Sequence, residues 1–239
     1  MESPSRLRGL VGVGAALALA VIVATPSAAQ TTIGAGGGDL VQSWGKDNTQ
    51  TYGQTITTPT DNVLTSFSFW LGRTSTNYPD PSNPSLSFMA YVYAWNGTMA
   101  TGPALYSSGV VTHNATPSTP FTKYTFSTGG LSLVPGDVYA LFFSTSGLAG
   151  TGRIQWEAAT GDAYAGGNFI FMNNGENTAD WTTTAWGSGY ASDVRFEATF
   201  EGTGGPVVPE PSTWVMMITG LVALGLVALR RRQDGIAEA

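Results

Sequence analysis

The sequence predicts an all-β fold, an antiparallel two-sheet sandwich of jelly-roll-like form. Three observations carry that expectation. Between residues 30 and 205, apolar and polar residues alternate over short runs, the period-2 pattern of strands with one buried face. Gly, Pro and Asn punctuate those runs at close intervals, as tight turns require. No long helical period lies between them, and without helices to make parallel crossovers the sheets should be antiparallel.

About nine strands follow. Gly53–Thr57 is a short first run. Thr65–Leu71 places Phe67, Phe69 and Leu71 on one face. Ser85–Trp95 is the clearest, with Leu86, Phe88, Ala90, Val92 and Ala94 facing one way and Met89, Tyr91, Tyr93 and Trp95 the other. Asn96-Gly97 supplies the turn that ends it. Leu105–Val111 and Phe121–Ser127 come next. Val134-Pro135-Gly136-Asp137 then makes a tight turn, because Pro sets one backbone angle and Gly accepts a positive φ. It launches the strand Asp137–Ser144, followed by Arg153–Ala158, Asn168–Met172 and Val194–Glu201. In the last, Val194, Phe196, Ala198 and Phe200 point inward and Arg195, Glu197, Thr199 and Glu201 outward.

The chain has 239 residues, and its two ends are not globular material. Residues 1–29 read as a secretory signal peptide: Arg6 and Arg8 begin it, Leu10–Ala24 is apolar, and Ser27-Ala28-Ala29 offers small residues before a cut between Ala29 and Gln30. Leu7 separates the arginines, so the twin-arginine route is not indicated. The sandwich is expected over residues 30–202, a length sufficient for one core. Residues 203–208 read as a linker. Residues 209–232 hold Pro209-Glu210-Pro211, a transmembrane helix at 214–229 and the cluster Arg230, Arg231 and Arg232; residues 233–239 form a cytoplasmic tail. The apolar run would span about 24 Å as a helix, a short span that Trp214 at one interface and snorkelling arginines at the other can extend. The arginines stay cytoplasmic by the positive-inside rule, and the signal peptide sends the domain outward, so both ends give one topology. Two prolines flanking Glu210 hold that stretch extended and exposed, the form in which a protease threads a substrate.

This tail resembles the PEP-CTERM sorting signal of Gram-negative bacteria, with its Pro-Glu-Pro motif, single helix and arginine cluster in order. The resemblance implies recognition by an exosortase, a membrane transpeptidase related to cysteine proteases, which cuts near the motif and releases or re-attaches the protein outside the inner membrane. Gly53-Gln54-Thr55, Trp95-Asn96-Gly97, Gly102-Pro103-Ala104-Leu105-Tyr106 and the run Leu133–Tyr139 also resemble a group of exported bacterial β-sandwich domains that occur with interchangeable anchors. Together these resemblances imply a cell-surface or extracellular-matrix protein associated with exopolysaccharide or biofilm.

Composition narrows the rest. The region 30–205 carries five basic residues against twelve acidic ones, which excludes nucleic acid as a partner. The absence of cysteine excludes disulfides, thiolate metal sites, thiol catalysis and a lipoprotein anchor. No enzyme is expected. His113, the one histidine, reads as a solvated loop residue, and no GxSxG elbow occurs. Glu157 with Asp162, and Glu197 with Glu201, are available as carboxylate pairs; the latter two are about 13 Å apart along one strand, too far for either glycosidase geometry. No cofactor is expected beyond a structural calcium ion, for which Asp39, Asp47, Asn48, Asp61, Asn62 and Asp80 supply hard oxygen ligands in loop-like stretches. Trp95, Trp181 and Trp186 are candidate ligand-contacting aromatics. That leaves two alternatives to a matrix protein without enzymatic activity: a carbohydrate-binding module for exopolysaccharide, and a single-pass protein anchored in the inner membrane.

Overall fold

The computed structural model describes residues 30–46, 49–76 and 84–202, together with residues 218, 221 and 222. Thirteen strands and one helical turn run through them: β1 (Gln30–Ala35), β2 (Asp39–Gly45), β3 (Thr51–Thr57), β4 (Val63–Thr74), β5 (Ser85–Trp95), β6 (Ala100–Ser107), β7 (Val111–Asn114), β8 (Thr122–Ser132), β9 (Val138–Ser144), β10 (Gly150–Thr151), β11 (Arg153–Ala158), β12 (Phe169–Met172), α1 (Asp180–Thr183) and β13 (Phe196–Glu201). One sheet has the order β1-β13-β4-β11-β2, with β8 also paired to β4. The other has the order β10-β5-β9-β3-β12, with β6 and β7 also paired to β5. Every ladder between these strands is antiparallel, as the missing crossover helices require.

The strands differ from the sequence reading in three places, each with a local cause. The single run expected at Leu105–Val111 is two strands. Ser108 breaks it, its hydroxyl accepting the Ala90 N–H and donating to the Gly109 carbonyl. The run expected at Phe121–Ser127 continues to Ser132. Gly129 and Gly130 at φ +71° and +89° absorb extra residues, so that two steps along β4 (Leu64 to Ser66) face four along β8 (Leu131 to Ser127). β1, β2 and β10 were not expected. β2 carries a bulge, three steps from Val41 to Trp44 facing two from Trp156 to Ile154, and Ser43 sits there at φ +75°, so its alternation is broken where a period-2 reading would seek it.

The inner faces of the sheets meet in an aromatic core. Phe69 and Phe143 lie edge to face at 5.0 Å, Phe88 stacks on Phe143 at 5.0 Å, and Trp156 reaches Phe143 at 5.3 Å. All are fully buried, and burial of each such side chain contributes about 1.5–3 kcal/mol. Alternation along β5 is as expected: Leu86, Phe88, Ala90 and Val92 are fully buried in this core. Met89, Tyr91, Tyr93 and Trp95 face the other way and are half-buried there. A strap of residues 173–193, including α1, lies over that face and creates a second apolar cluster of Phe142, Ile170, Met172, Trp181 and Trp186 beneath it. A sheet covered on both sides accounts for a strand apolar on both faces.

The turn at Val134–Asp137 forms as expected, with Gly136 at φ +83° and the Asp137 N–H on the Val134 carbonyl at 3.2 Å. The signal peptide with Ala29, the linker 203–208, Pro209-Glu210-Pro211, the arginine cluster and the tail 233–239 lie outside the described residues, as do Asp47, Asn48 and Asp80. So does most of the segment 214–229, of which residues 218, 221 and 222 are helical. Among the described residues no helix is long and apolar enough to cross a membrane.

Candidate functional site

The register brings both ends of the domain together. Gln30 pairs with Glu201, and Glu201 with Val63. The short connections from β3 to β4 and from β8 to β9 cross between the sheets at this end, tied by the Leu133 N–H on the Asn62 carbonyl and the Thr58 N–H on the Asp137 carbonyl, both at 2.9 Å. Trp95, one residue past the Ala94–Tyr139 pair, lies at the same end. The chain that follows Glu201 therefore leaves the domain beside the point where it began.

At this end a cleft of about 750 Å³ opens on the outer side of the β5–β9–β3 sheet. Thr55, Trp95, Asn168 and Asp137 are among its lining residues, with glycine-rich backbone at Gly97, Gly136, Gly166 and Gly167. A second cleft of about 360 Å³ shares Thr55, Trp95, Gly97 and Asn168 and is closed on its far side by Trp186 and Ser188. The two make one trough with Trp95 in both parts. Three local devices fix its shape. The Asn96 side-chain oxygen accepts the Thr98 and Met99 N–H groups at 3.0 and 2.9 Å, which folds the β5–β6 turn tightly. Asn168 is locked to Thr55 through the Thr55 hydroxyl, which accepts the Asn168 N–H at 2.8 Å. Gly167 passes so close to the Thr55 carbonyl that a Cβ there would lie 1.7 Å from its oxygen, so only glycine fits.

The strap that closes the trough is held by its buried tryptophans, by backbone bonds from Trp186 to Thr98 and between Gly187 and Phe171, and by a set of side-chain polar contacts. Glu176 pairs with Lys46 at 2.6 Å and also accepts the Gly147 N–H. The Lys46 hydrogen bond, more than any other contact, holds the Glu176 carboxyl below its usual value. Gln50 accepts the Gly175 N–H at 3.0 Å, and buried Asn174 bonds Thr51 and Ser146. Trp181 Nε1 donates to the Thr51 hydroxyl at 3.3 Å, and Trp186 Nε1 to the Trp181 carbonyl at 2.9 Å.

Of the three candidate ligand-contacting tryptophans, Trp181 is 3 % exposed, packs on Phe142 and lines neither part of the trough. Trp186 is buried but forms a wall of the smaller part, and half-buried Trp95 lines both. Their rings meet edge to face at 5.7 Å. Thr55, Asp137 and Asn168 were missed by the sequence reading. The signal for Asp137 and Asn168 was the turn composition of VPGD and AGGN, which marks loops without saying which loops converge, and Thr55 lies within a strand run that gave none.

His113 is not a loop residue. It is 2 % exposed on β7, where Nε2 donates to the Gly72 carbonyl at 2.7 Å and Nδ1 accepts the Tyr124 hydroxyl at 2.9 Å. A bulge explains this: three steps of β4, Leu71 to Thr74, face two of β11, which puts an extra residue at Gly72–Arg73 and turns a carbonyl to the imidazole. Burial pushes the His113 pKa down, against the smaller opposing effect of the Gly72 carbonyl. One carboxylate of each pair weighed for catalysis has a cationic partner. Glu157 pairs with Arg195 at 2.9 Å and Glu197 with Lys123, and both cations lie over the Trp70 ring, at 4.0 and 4.9 Å from its centroid. Of the calcium candidates, Asp39 begins β2 rather than a loop, Asp61 accepts the Thr31 hydroxyl, and Asn62 donates to the Leu133 carbonyl. Among the described residues no group of three or more His, Asp or Glu side chains is placed to hold a metal ion.

Comparison with known proteins places the other functional element just beyond the exit point of the domain. Residues 207–232 match the family model of the PEP-CTERM protein-sorting motif. The chain carries a PEP-CTERM sorting motif. That motif indicates exosortase-dependent sorting of an exported, membrane-processed protein. A search of curated proteins found no match to the chain. The PEP-CTERM motif therefore assigns a route and a sorting partner, while the sandwich ahead of it is characterised by its geometry alone.

Proposed function

We propose that this chain is an exported protein without enzymatic activity. An exosortase cuts it at Pro209–Pro211, and its sandwich then resides at the cell surface or in the extracellular matrix, in association with exopolysaccharide or biofilm. The observation that carries this reading is the PEP-CTERM motif at 207–232. It acts with the predicted signal peptide at the other end of the chain, which delivers the domain to the outer side of the inner membrane.

The fold supports this processing step. Glu201 ends β13, a strand paired on both sides by β1 and β4, and only residues 202–208 separate it from Pro209. Seven residues reach at most about 25 Å when extended, so the Pro-Glu-Pro site lies within about that distance of the end of the domain where β13 finishes. The test is the mature mass and C-terminal peptide of the protein in cells with and without an exosortase. Termini at Gln30 and within Pro209–Pro211, the latter only in the presence of the enzyme, are expected. An intact tail retained in the inner membrane of exosortase-positive cells would make this a plain single-pass anchored protein.

A further inference from the structure

We propose that the trough beside Trp95 binds a neutral saccharide chain. The ligand class follows from what lines the trough. A pyranose presents an apolar face of C–H groups and a rim of hydroxyls, so its site needs a flat ring and, beside it, uncharged donors and acceptors. Trp95 is half-buried on the floor of both parts of the trough, with Trp186 edge-on to it at 5.7 Å and 85°. Asn168 and Asp137 are exposed at the same place, and neither side chain has a hydrogen-bond partner among the described residues. Ser188 adds a hydroxyl at the far wall. Rigid neighbours hold these groups: Asn168 by its backbone bonds to Thr55, and Asp137 by the turn that starts β9.

The same residues argue against other occupants. No Lys, Arg or His lines either part, and the one side chain charged at neutral pH is the carboxylate of Asp137, so a phosphate, sulfate or uronate finds repulsion and no counter-charge. The edge strand beside the trough, β12, is bridged to Gly187 at Phe171, which disfavours a peptide that enters by adding a strand. Gly97 and Gly136 have open space where a side chain would stand, which leaves backbone walls low enough for a polymer to pass through, not merely insert one end. The two parts joined at Trp95, of about 750 and 360 Å³, have room for more than one sugar unit.

This proposal names the ligand class behind the exopolysaccharide association proposed above, and rests on that reading only for its biological setting. Its test is a binding experiment that does not depend on sorting. The full chain, in a detergent without a sugar headgroup, is titrated with dextran, a β-glucan and a galactan as neutral probes and alginate as the anionic control. Tryptophan fluorescence and calorimetry give the readout. Binding to at least one neutral polymer is expected, with none to alginate. Asn168→Ala, a change at an exposed amide, and Trp95→Ala should each weaken it by about tenfold or more, as loss of an anchoring contact does, while Asn168→Ala leaves the melting temperature unchanged. No binding to any neutral polymer, binding only to alginate, or binding that Asn168→Ala leaves untouched would overturn the site. A chain that is cut by exosortase yet binds no polymer loses only this proposal; one that binds but is never cut loses only the sorting reading.

Discussion

Phe142 and Phe143 are adjacent on β9, both fully buried, and belong to different cores. Phe143 faces the second sheet, where Phe67, Phe69, Phe126 and Trp156 come from strands locked into ladders. Phe142 faces the strap, where Trp181 and Trp186 come from an irregular segment with one helical turn. The two sites have the same residue type, backbone and exposure. They differ in what holds the covering layer in place: continuous backbone ladders on one side, and on the other a few isolated backbone bonds, such as the Phe171–Gly187 bridge, with side-chain hydrogen bonds and the Lys46–Glu176 ion pair. Burial alone therefore does not measure the stability of a core; the attachment of its lid does.

The largest effect should come from breaking this comparison directly. Phe143→Ala leaves a cavity between two layers that cannot collapse, at a cost of about 4–5 kcal/mol, near the top of the range for such truncations. Phe142→Ala should cost less, about 3 kcal/mol, because the strap can settle or lift. Denaturant unfolding of both variants gives the two numbers, and proteolysis within residues 173–193 should accelerate in Phe142→Ala alone. Equal losses with no difference in proteolysis would show that the strap is as firmly integrated as the second sheet.

The two cores also differ in how legible they were. The inter-sheet core could be read from the alternation of β4, β5 and β13, because period-2 spacing reports a face directly. The outer core was visible only as an anomaly, the aromatic second face of β5, and nothing local said whether solvent, ligand or chain covered it. The cover comes from residues 80–100 positions further along, brought there by contacts such as the Trp181–Tyr91 pair at 4.8 Å. His113 was misread for a related reason. Its neighbours Thr112, Asn114 and Thr116 are polar, as in a loop, but its partner Gly72 is supplied by a bulge in a distant strand. Bulges and straps are non-local, so a single-strand reading does not see them.

A smaller effect should appear as pH falls. His113 is buried neutral with both ring nitrogens satisfied, and its pKa lies below the ordinary value of 6.5. The unfolded chain then takes up a proton before the folded one does. Stability from this residue is complete above pH 6.5 and declines as pH drops from there toward the depressed folded value. Melting temperature measured from pH 7.5 to 5 should fall, and His113→Gln should flatten that part of the profile, although it starts from a lower plateau. An unchanged slope in the variant would show that His113 is not the titrating group. Because His113 bridges β7 to β4 on the inter-sheet side, this loss belongs to global unfolding and should not expose the strap.

The smallest effect sharpens the comparison from the side of the strap. Glu176 is the strap's ionic attachment, bonded to Lys46 and to the Gly147 N–H; the Lys46 side chain is 11 % exposed but that of Glu176 is 61 % exposed, so water reaches and screens the pair from the carboxylate side and its contribution is small. Glu176→Gln removes the charge and leaves one acceptor oxygen where Lys46 and the Gly147 N–H now use two. Global unfolding should stay within the scatter of replicate measurements. If the outer core owes its integrity to such small attachments acting together, amide exchange of the strap should nonetheless speed up, with the amides of β4 and β9 unchanged. Exchange that rises equally throughout the sandwich would mean that the strap opens only when the whole domain does. The difference between Phe142 and Phe143 would then lie in packing and not in the way each cover is fastened.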